Sequence, residues 1–213
     1  MSNLSNRIIT SVILLIILLL ASFNIQIMFF IIILTLYLIC CEFYFLLIKI
    51  LSKKKIYLYS TFLISIIYTT CFSLMIFKIF LLNNNDQILK LYFLILICVL
   101  TDIGGYIFGK IFKGKKLTNI SPNKTYSGLI GSYFTSITGV LIIFYDYFNL
   151  NEMLLITFTV SSISQLGDLF ISFLKRKAKI KDTGKLLPGH GGLLDRLDGV
   201  IFAIPFGLVI INL

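Results

Sequence analysis

Asp195 and Asp198 stand three residues apart at the end of a stretch, 172–198, that reads SFLKRKAKIKDTGKLLPGHGGLLDRLD. On a helix that spacing puts both carboxylates on one face, with Cβ atoms ~5–6 Å apart. Such a pair suits a shared divalent cation, and Mg²⁺ commonly takes one or two carboxylates with substrate phosphate and water completing its shell. The plainer use of these acids is to neutralise Arg196 and the nearby lysines. Asp168 weighs against that. It lies in Gln165-Leu166-Gly167-Asp168 near the end of an apolar run, where an ionised side chain costs ~2.5 kcal/mol or more unless paired or wetted. Asp102, in Thr101-Asp102-Ile103-Gly104-Gly105-Tyr106, is placed similarly. Convergence of Asp102, Asp168, Asp195 and Asp198 on one pocket is the expectation. Glu42 lies inside an apolar run with no polar motif around it, and is read as a structural hydrogen-bonding residue.

The neighbouring residues suit an anionic ligand. Pro188-Gly189-His190-Gly191-Gly192 offers backbone amides that phosphate oxygens can approach without meeting side chains. His190 is the one histidine of the chain, held between glycines in a cationic loop, and is placed near substrate with no proton-transfer role. Ser121-Pro122-Asn123-Lys124-Thr125 precedes another apolar run. Its hydroxyls and Lys124 suit phosphate, although Ser-Pro before a helix is also ordinary turn and capping chemistry.

What must position these groups is a membrane bundle. Hydrophobic residues make up 58% of the 213 residues and only 13% are charged, against ~45–50% apolar content in soluble domains. Mean hydropathy is +1.00. Apolar runs predict an all-α polytopic bundle of about seven spans, near 8–22, 25–48, 57–81, 88–111, 126–145, 152–174 and 199–213. The runs do not alternate, which excludes a β-barrel. A cleavable signal over 8–22 is disfavoured, because the next apolar run begins at Ile25 with no small-residue cleavage site before it.

The net charge of +10 reads as topology rather than nucleic-acid binding. With the N-terminus cytoplasmic, every one of the 19 basic residues except Lys78 and Lys90 falls on the inner side. No nucleic-acid motif is present. Cys40, Cys41, Cys71 and Cys98 all lie within apolar runs without metal-ligand spacing, and read as packing residues.

Ser172-x-x-Lys175-Arg176, Lys181-Asp182, Leu187-Pro188-Gly189-His190-Gly191-Gly192 and Asp195-Arg196-x-Asp198 occur in this order. With Gln165-x-Gly167-Asp168-Leu169 and Ser121-Pro122-x-Lys124-Thr125 upstream, the chain resembles the phosphatidate cytidylyltransferases, or CDP-diacylglycerol synthases, over roughly residues 100–205. Family members commonly carry Glu at the positions of Ile171 and Ser127 and Lys at that of Asn123, so this chain departs at three places. The resemblance implies a nucleotidyltransferase of phospholipid biosynthesis that converts CTP and phosphatidic acid to CDP-diacylglycerol and pyrophosphate in the cytoplasmic membrane, its active site facing the cytoplasm. Residues 1–100 would supply N-terminal spans and 101–213 the catalytic region. Asp168, Asp195 and Asp198, with Ser172, would hold Mg²⁺, and a second cation has room. Lys175 and Arg176 would join the aspartates in catalysis. Ser121, Lys124, Thr125, Asp102, Lys181, Asp182, Gly189, His190, Gly191, Gly192 and Arg196 would bind substrate, and a homodimer is left open.

Two other readings compete. A CTP-dependent polyprenol kinase would share spans, nucleotide and metal, but would leave the cytosine off the lipid. An anion transporter would need polar groups at the bilayer midplane and broken helices, whereas here the charges cluster at one surface.

Overall fold

The computed structural model describes residues 24–118, 120–122, 124–184 and 191–211. Their regular structure is helical: α1 Ile25–Leu51, α2 Lys55–Leu82, α3 Asn85–Phe112, α4 Tyr126–Phe144, α5 Leu150–Lys177, α6 Leu194–Leu197 and α7 Val200–Ile211. Outside the helices, Lys116 and Thr125 form an isolated antiparallel bridge. Helices α1 to α5 are each long and apolar enough to cross a membrane. The protein is therefore a multi-pass, all-α membrane protein. The β-branched residues that weaken helices in water are tolerated because lipid leaves a helix the cheapest way to pair backbone groups.

Of the seven predicted spans, the first (8–22) lies outside the described residues. The last corresponds to α7, which has 12 residues and Pro205 inside it.

Helix ends are set by local chemistry. The Asn24 side chain accepts N–H bonds from Gln26 and Ile27 at 2.9 and 3.4 Å and starts α1. Asn83, at φ 45°, ends α2 in the left-handed region that asparagine tolerates. Helix α5 ends in a Schellman motif: Lys179 sits at φ 56° and donates its N–H to Arg176 O at 3.1 Å, while Ile180 N–H reaches Lys175 O at 3.0 Å.

Contacts gather the chain into two compact units, and each is described separately. One draws on Met1–Asn84 and Leu174–Leu197, the other on Asn85–Phe173 and Asp198–Leu213.

In the first unit α1 packs along α2. Phe29 and Phe77 rings lie 5.1 Å apart, Tyr44 and Phe62 lie 4.9 Å apart, and Cys40 Sγ meets Thr69 Oγ1 at 3.6 Å.

In the second unit α3 and α4 approach so closely that backbone meets backbone. A Cβ on Gly104 would lie 2.6 Å from Gly131 O and would strike the Thr135 hydroxyl, and one on Gly131 would strike the Phe108 ring. Small residues at such an interface replace the hydrophobic drive that lipid removes. Thr135 Oγ1 donates across it to Leu100 O at 2.9 Å. Helix α5 joins through Thr101 Oγ1–Ser161 Oγ at 2.9 Å and Tyr133 Oη–Ser162 Oγ at 2.8 Å. Such interhelical bonds stabilise a bundle by ~0.6–2 kcal/mol each.

Candidate functional site

The second unit holds Asp168 and its partners. The described residues between Lys115 and Tyr126 fold back on one another: Leu117 N–H donates to Lys124 O at 2.7 Å, Tyr126 N–H to Lys115 O at 3.0 Å, and Lys124 N–H to Ser121 O at 3.0 Å. Thr125 then caps α4, its hydroxyl accepting Gly128 N–H at 3.1 Å. The turn and cap together aim Lys124 at α5, where its ammonium pairs with Asp168 Oδ2. The other oxygen of Asp168 accepts a 3.3 Å bond from Ser172 Oγ one turn on. The two charged side chains keep 24% and 27% of their exposure, so water and solutes reach the pair. Ser127 partners Thr125 Oγ1 at 2.9 Å and receives Gly114 N–H at 3.3 Å, which gives this departure a structural use. Ile171, another departure, is fully buried.

Asp198 belongs to the same unit. It follows α6 as a turn residue, and Oδ1 accepts the N–H of Gly199 at 2.9 Å. A Cβ on Gly167 would lie 2.8 Å from Asp198 O, so the stretches bearing Asp168 and Asp198 touch through a glycine. Helix α6 ends at Leu197, one residue before Asp198. Asp102 is exposed on α3.

The first unit holds Asp195, with a side chain only 6% exposed. Lys175 Nζ bonds Oδ1 at 2.8 Å. Oδ2 accepts N–H groups from Thr183 at 2.8 Å and Gly192 at 3.0 Å, and the Thr183 hydroxyl lies 3.1 Å away. Burial pushes this carboxyl up, but the Lys175 hydrogen bond, the two N–H groups and the Lys175 charge outweigh it and hold it below the usual carboxylate range. Gly191 turns the chain at φ 87°, where a Cβ would also come within 3.0 Å of Asp195 Oδ2. Arg176, Lys181, Asp182 and Arg196 are exposed. Gly189 and His190 lie outside the described residues.

Thr183 escaped the sequence reading, and Glu42 was read there only as a structural hydrogen-bonding residue. Thr183 shares its hydroxyl between Asp195 and Glu42, and Glu42 holds the main chain at Leu193 and Leu194. An ionisable residue in an apolar run was the available signal for Glu42; Thr183 gave none.

The donor set bears on metal binding. Among the described residues no three His, Cys, Asp or Glu side chains form a metal-holding group. Both oxygens of Asp195 are already engaged by donors. Asp168 is engaged only by the side chains of Lys124 and Ser172, and its stretch touches that of Asp198, which suits a cation that completes its shell with substrate oxygens.

Relatives with known names carry the same kind of sequence. Phosphatidate cytidylyltransferase of Staphylococcus haemolyticus (strain JCSC1435) is 43% identical over 133 residues, covering 61% of this chain and 51% of the relative. Proteins of the same name from Staphylococcus aureus (strain COL) and Staphylococcus epidermidis (strain ATCC 12228) are 41% and 42% identical over equal shares. The chain thus spans about half the length of the curated relatives it matches. The sequence model of the Cytidylyltransferase family matches residues 2–213, and the chain belongs to that family.

Proposed function

We propose that this protein transfers the cytidylyl group of CTP to phosphatidic acid, giving CDP-diacylglycerol and pyrophosphate. The observation that carries the reading is the Lys124–Asp168 pair. It joins two polar segments, 44 residues apart in sequence and otherwise flanked by apolar helices, into one solvent-reached charged centre, in a chain whose family and named relatives handle cytidine nucleotides.

The chemistry needs little from side chains beyond position and charge. The phosphatidate phosphate is already an anion. One of its oxygens attacks the α-phosphorus of CTP, a new P–O bond forms, and the bond to the bridging oxygen breaks as pyrophosphate departs with the electron pair. The obstacle is repulsion between two anions, so catalysis consists of alignment and neutralisation. Lys124 releases Asp168 and turns to a phosphate oxygen. Ser172 holds Asp168 in one rotamer, and the Thr125 hydroxyl stands beside the incoming headgroup. Arg176, Lys181 and Arg196 draw the triphosphate from solution. Asp168 and Asp198 are the residues that would hold Mg²⁺, which when bound would neutralise phosphate charge. Asp195 keeps Thr183 and Gly192 in place.

The finer topology belongs to this proposal: about seven spans, N-terminus and nucleotide-facing loops on the cytoplasmic side of the cytoplasmic membrane. It is supported by the gathering of basic residues in alternate connections.

The test uses purified protein in detergent with phosphatidic acid and CTP labelled in the cytosine ring. Label should enter the lipid, vanish with chelator and return with Mg²⁺. Lipid that gains phosphate without cytosine would replace this reading by a kinase. Label that enters equally with chelator present would remove the metal.

A further inference from the structure

Glu42 takes no part in the reaction as written, yet it is among the most constrained side chains of the protein. It sits on α1, nine residues before the helix ends, and is 7% exposed. Its Oε1 accepts Leu193 N–H at 2.8 Å, and Oε2 accepts Leu194 N–H at 2.9 Å and the Thr183 hydroxyl at 2.6 Å. Those partners lie 141 to 152 residues away in sequence. The backbone around the carboxylate is bare by necessity. A Cβ on Gly184 would stand 2.8 Å from Glu42 Oε1, and one on Gly192 would run into both the carboxylate and the Thr183 hydroxyl. A buried anion is tolerable only with such a complete set of donors.

We propose that Glu42 is a positioning residue for cytidylyl transfer, holding Thr183, Leu193 and Leu194 so that Thr183 and Gly192 clamp Asp195. The inference rests on the reaction proposed above. Thr183 is the link. Its hydroxyl has one proton, which the shorter distance assigns to Glu42, while its N–H serves Asp195. With Glu42 gone, the hydroxyl proton turns to Asp195 and the N–H groups of Leu193 and Leu194 lose their acceptor. The described residues 183–184 and 191–193 belong to no helix, so the Glu42 carboxylate takes the place that a helical ladder would fill.

The experiment compares wild type with Glu42→Gln and Glu42→Asp. Glutamine keeps the shape but turns a donor toward a donor. Glu42→Gln should reach the membrane in normal amount, show faster amide exchange over 191–197, and lose ~10- to 100-fold in kcat per folded molecule with KM for phosphatidic acid unchanged. Glu42→Asp, which keeps the charge, should recover part of the rate. Wild-type kcat and exchange in Glu42→Gln would overturn the proposal, as would a loss that disappears when rates are normalised to folded protein. Should Glu42→Gln fail to accumulate, Thr183→Ala decides instead: slower turnover and faster exchange support the anchor, wild-type values sink it. If wild type itself transfers no cytidylyl group, the reaction fails, and the exchange contrast alone upholds or sinks the anchor.

Discussion

Asp168 and Asp195 are both acids paired with a lysine, and their settings are opposite. Asp195 is 6% exposed and accepts bonds from Lys175 and two backbone N–H groups, with Thr183 Oγ1 at 3.1 Å. Asp168 is 27% exposed and bonded to Lys124 and Ser172, both through side chains. A carboxylate saturated by main-chain donors is a brace, because giving up any partner leaves that partner buried and unpaired. A carboxylate paired with a mobile ammonium in reach of water is an exchangeable site, since substrate phosphate can take over the lysine. The difference teaches that similar ion pairs in one signature can divide the labour between holding a loop and meeting a ligand.

The sharpest way to break this comparison is to remove each acid in turn. Asp168→Ala should lower cytidylyl transfer by at least ~100-fold, the scale of losing a preorganised charge-stabilising group. Its thermal stability should stay within ~1 kcal/mol of wild type, as for exposed pairs. Asp195→Ala should instead cost ~3 kcal/mol of stability by leaving Lys175 buried and unpaired, and the double change Lys175→Met with Asp195→Leu should be less destabilising than the single one. Thermal melts in detergent beside a rate assay check both. Equal melting for Asp168→Ala and Asp195→Ala would erase the distinction.

Acid sharpens it further. The folded-state pKa of Asp195 lies below its ordinary value of 3.8, so its contribution is complete above that value and is lost as pH falls through the lower folded one. The melting difference between wild type and Asp195→Asn should hold constant from neutrality to pH ~4.5 and shrink only below the ordinary carboxylate range. A difference already fading near pH 6 would contradict the donor set described. Smallest of all should be the effect of Lys124→Ala on stability, ~0.2–1 kcal/mol, together with a raised KM for CTP or lipid that salt mimics in the wild type.

How much of this was legible in the sequence depended on distance along the chain. The runs 25–48 and 57–81 appear as Ile25–Leu51 and Lys55–Leu82, because apolar length is a local property that lipid enforces. The approach of α3 to α4 was partly visible as Gly104-Gly105 and Gly128-x-x-Gly131. The partners of Glu42 were not visible, since hydrogen bonds across 141 to 152 residues leave no periodicity. The saturation of Asp195 was equally hidden: which way the N–H groups of Thr183 and Gly192 point depends on the path of the loop. The end of α6 at Leu197, after only four residues, was likewise not announced by any periodicity.

The contact between α3 and α4 has a mechanical consequence. Where Gly104 approaches the Gly131 carbonyl, the two backbones meet with little between them to absorb displacement. Lys124 stands two residues before α4 begins at Tyr126, so a shift of this pair carries the lysine with it, as a rigid lever carries its tip. A thinner host bilayer would tilt the pair and thereby lengthen or shorten the reach to Asp168, making membrane thickness an input to catalysis. Reconstitution in short- and long-chain phosphatidylcholine would reveal that dependence as unequal rates, and equal rates would dismiss it.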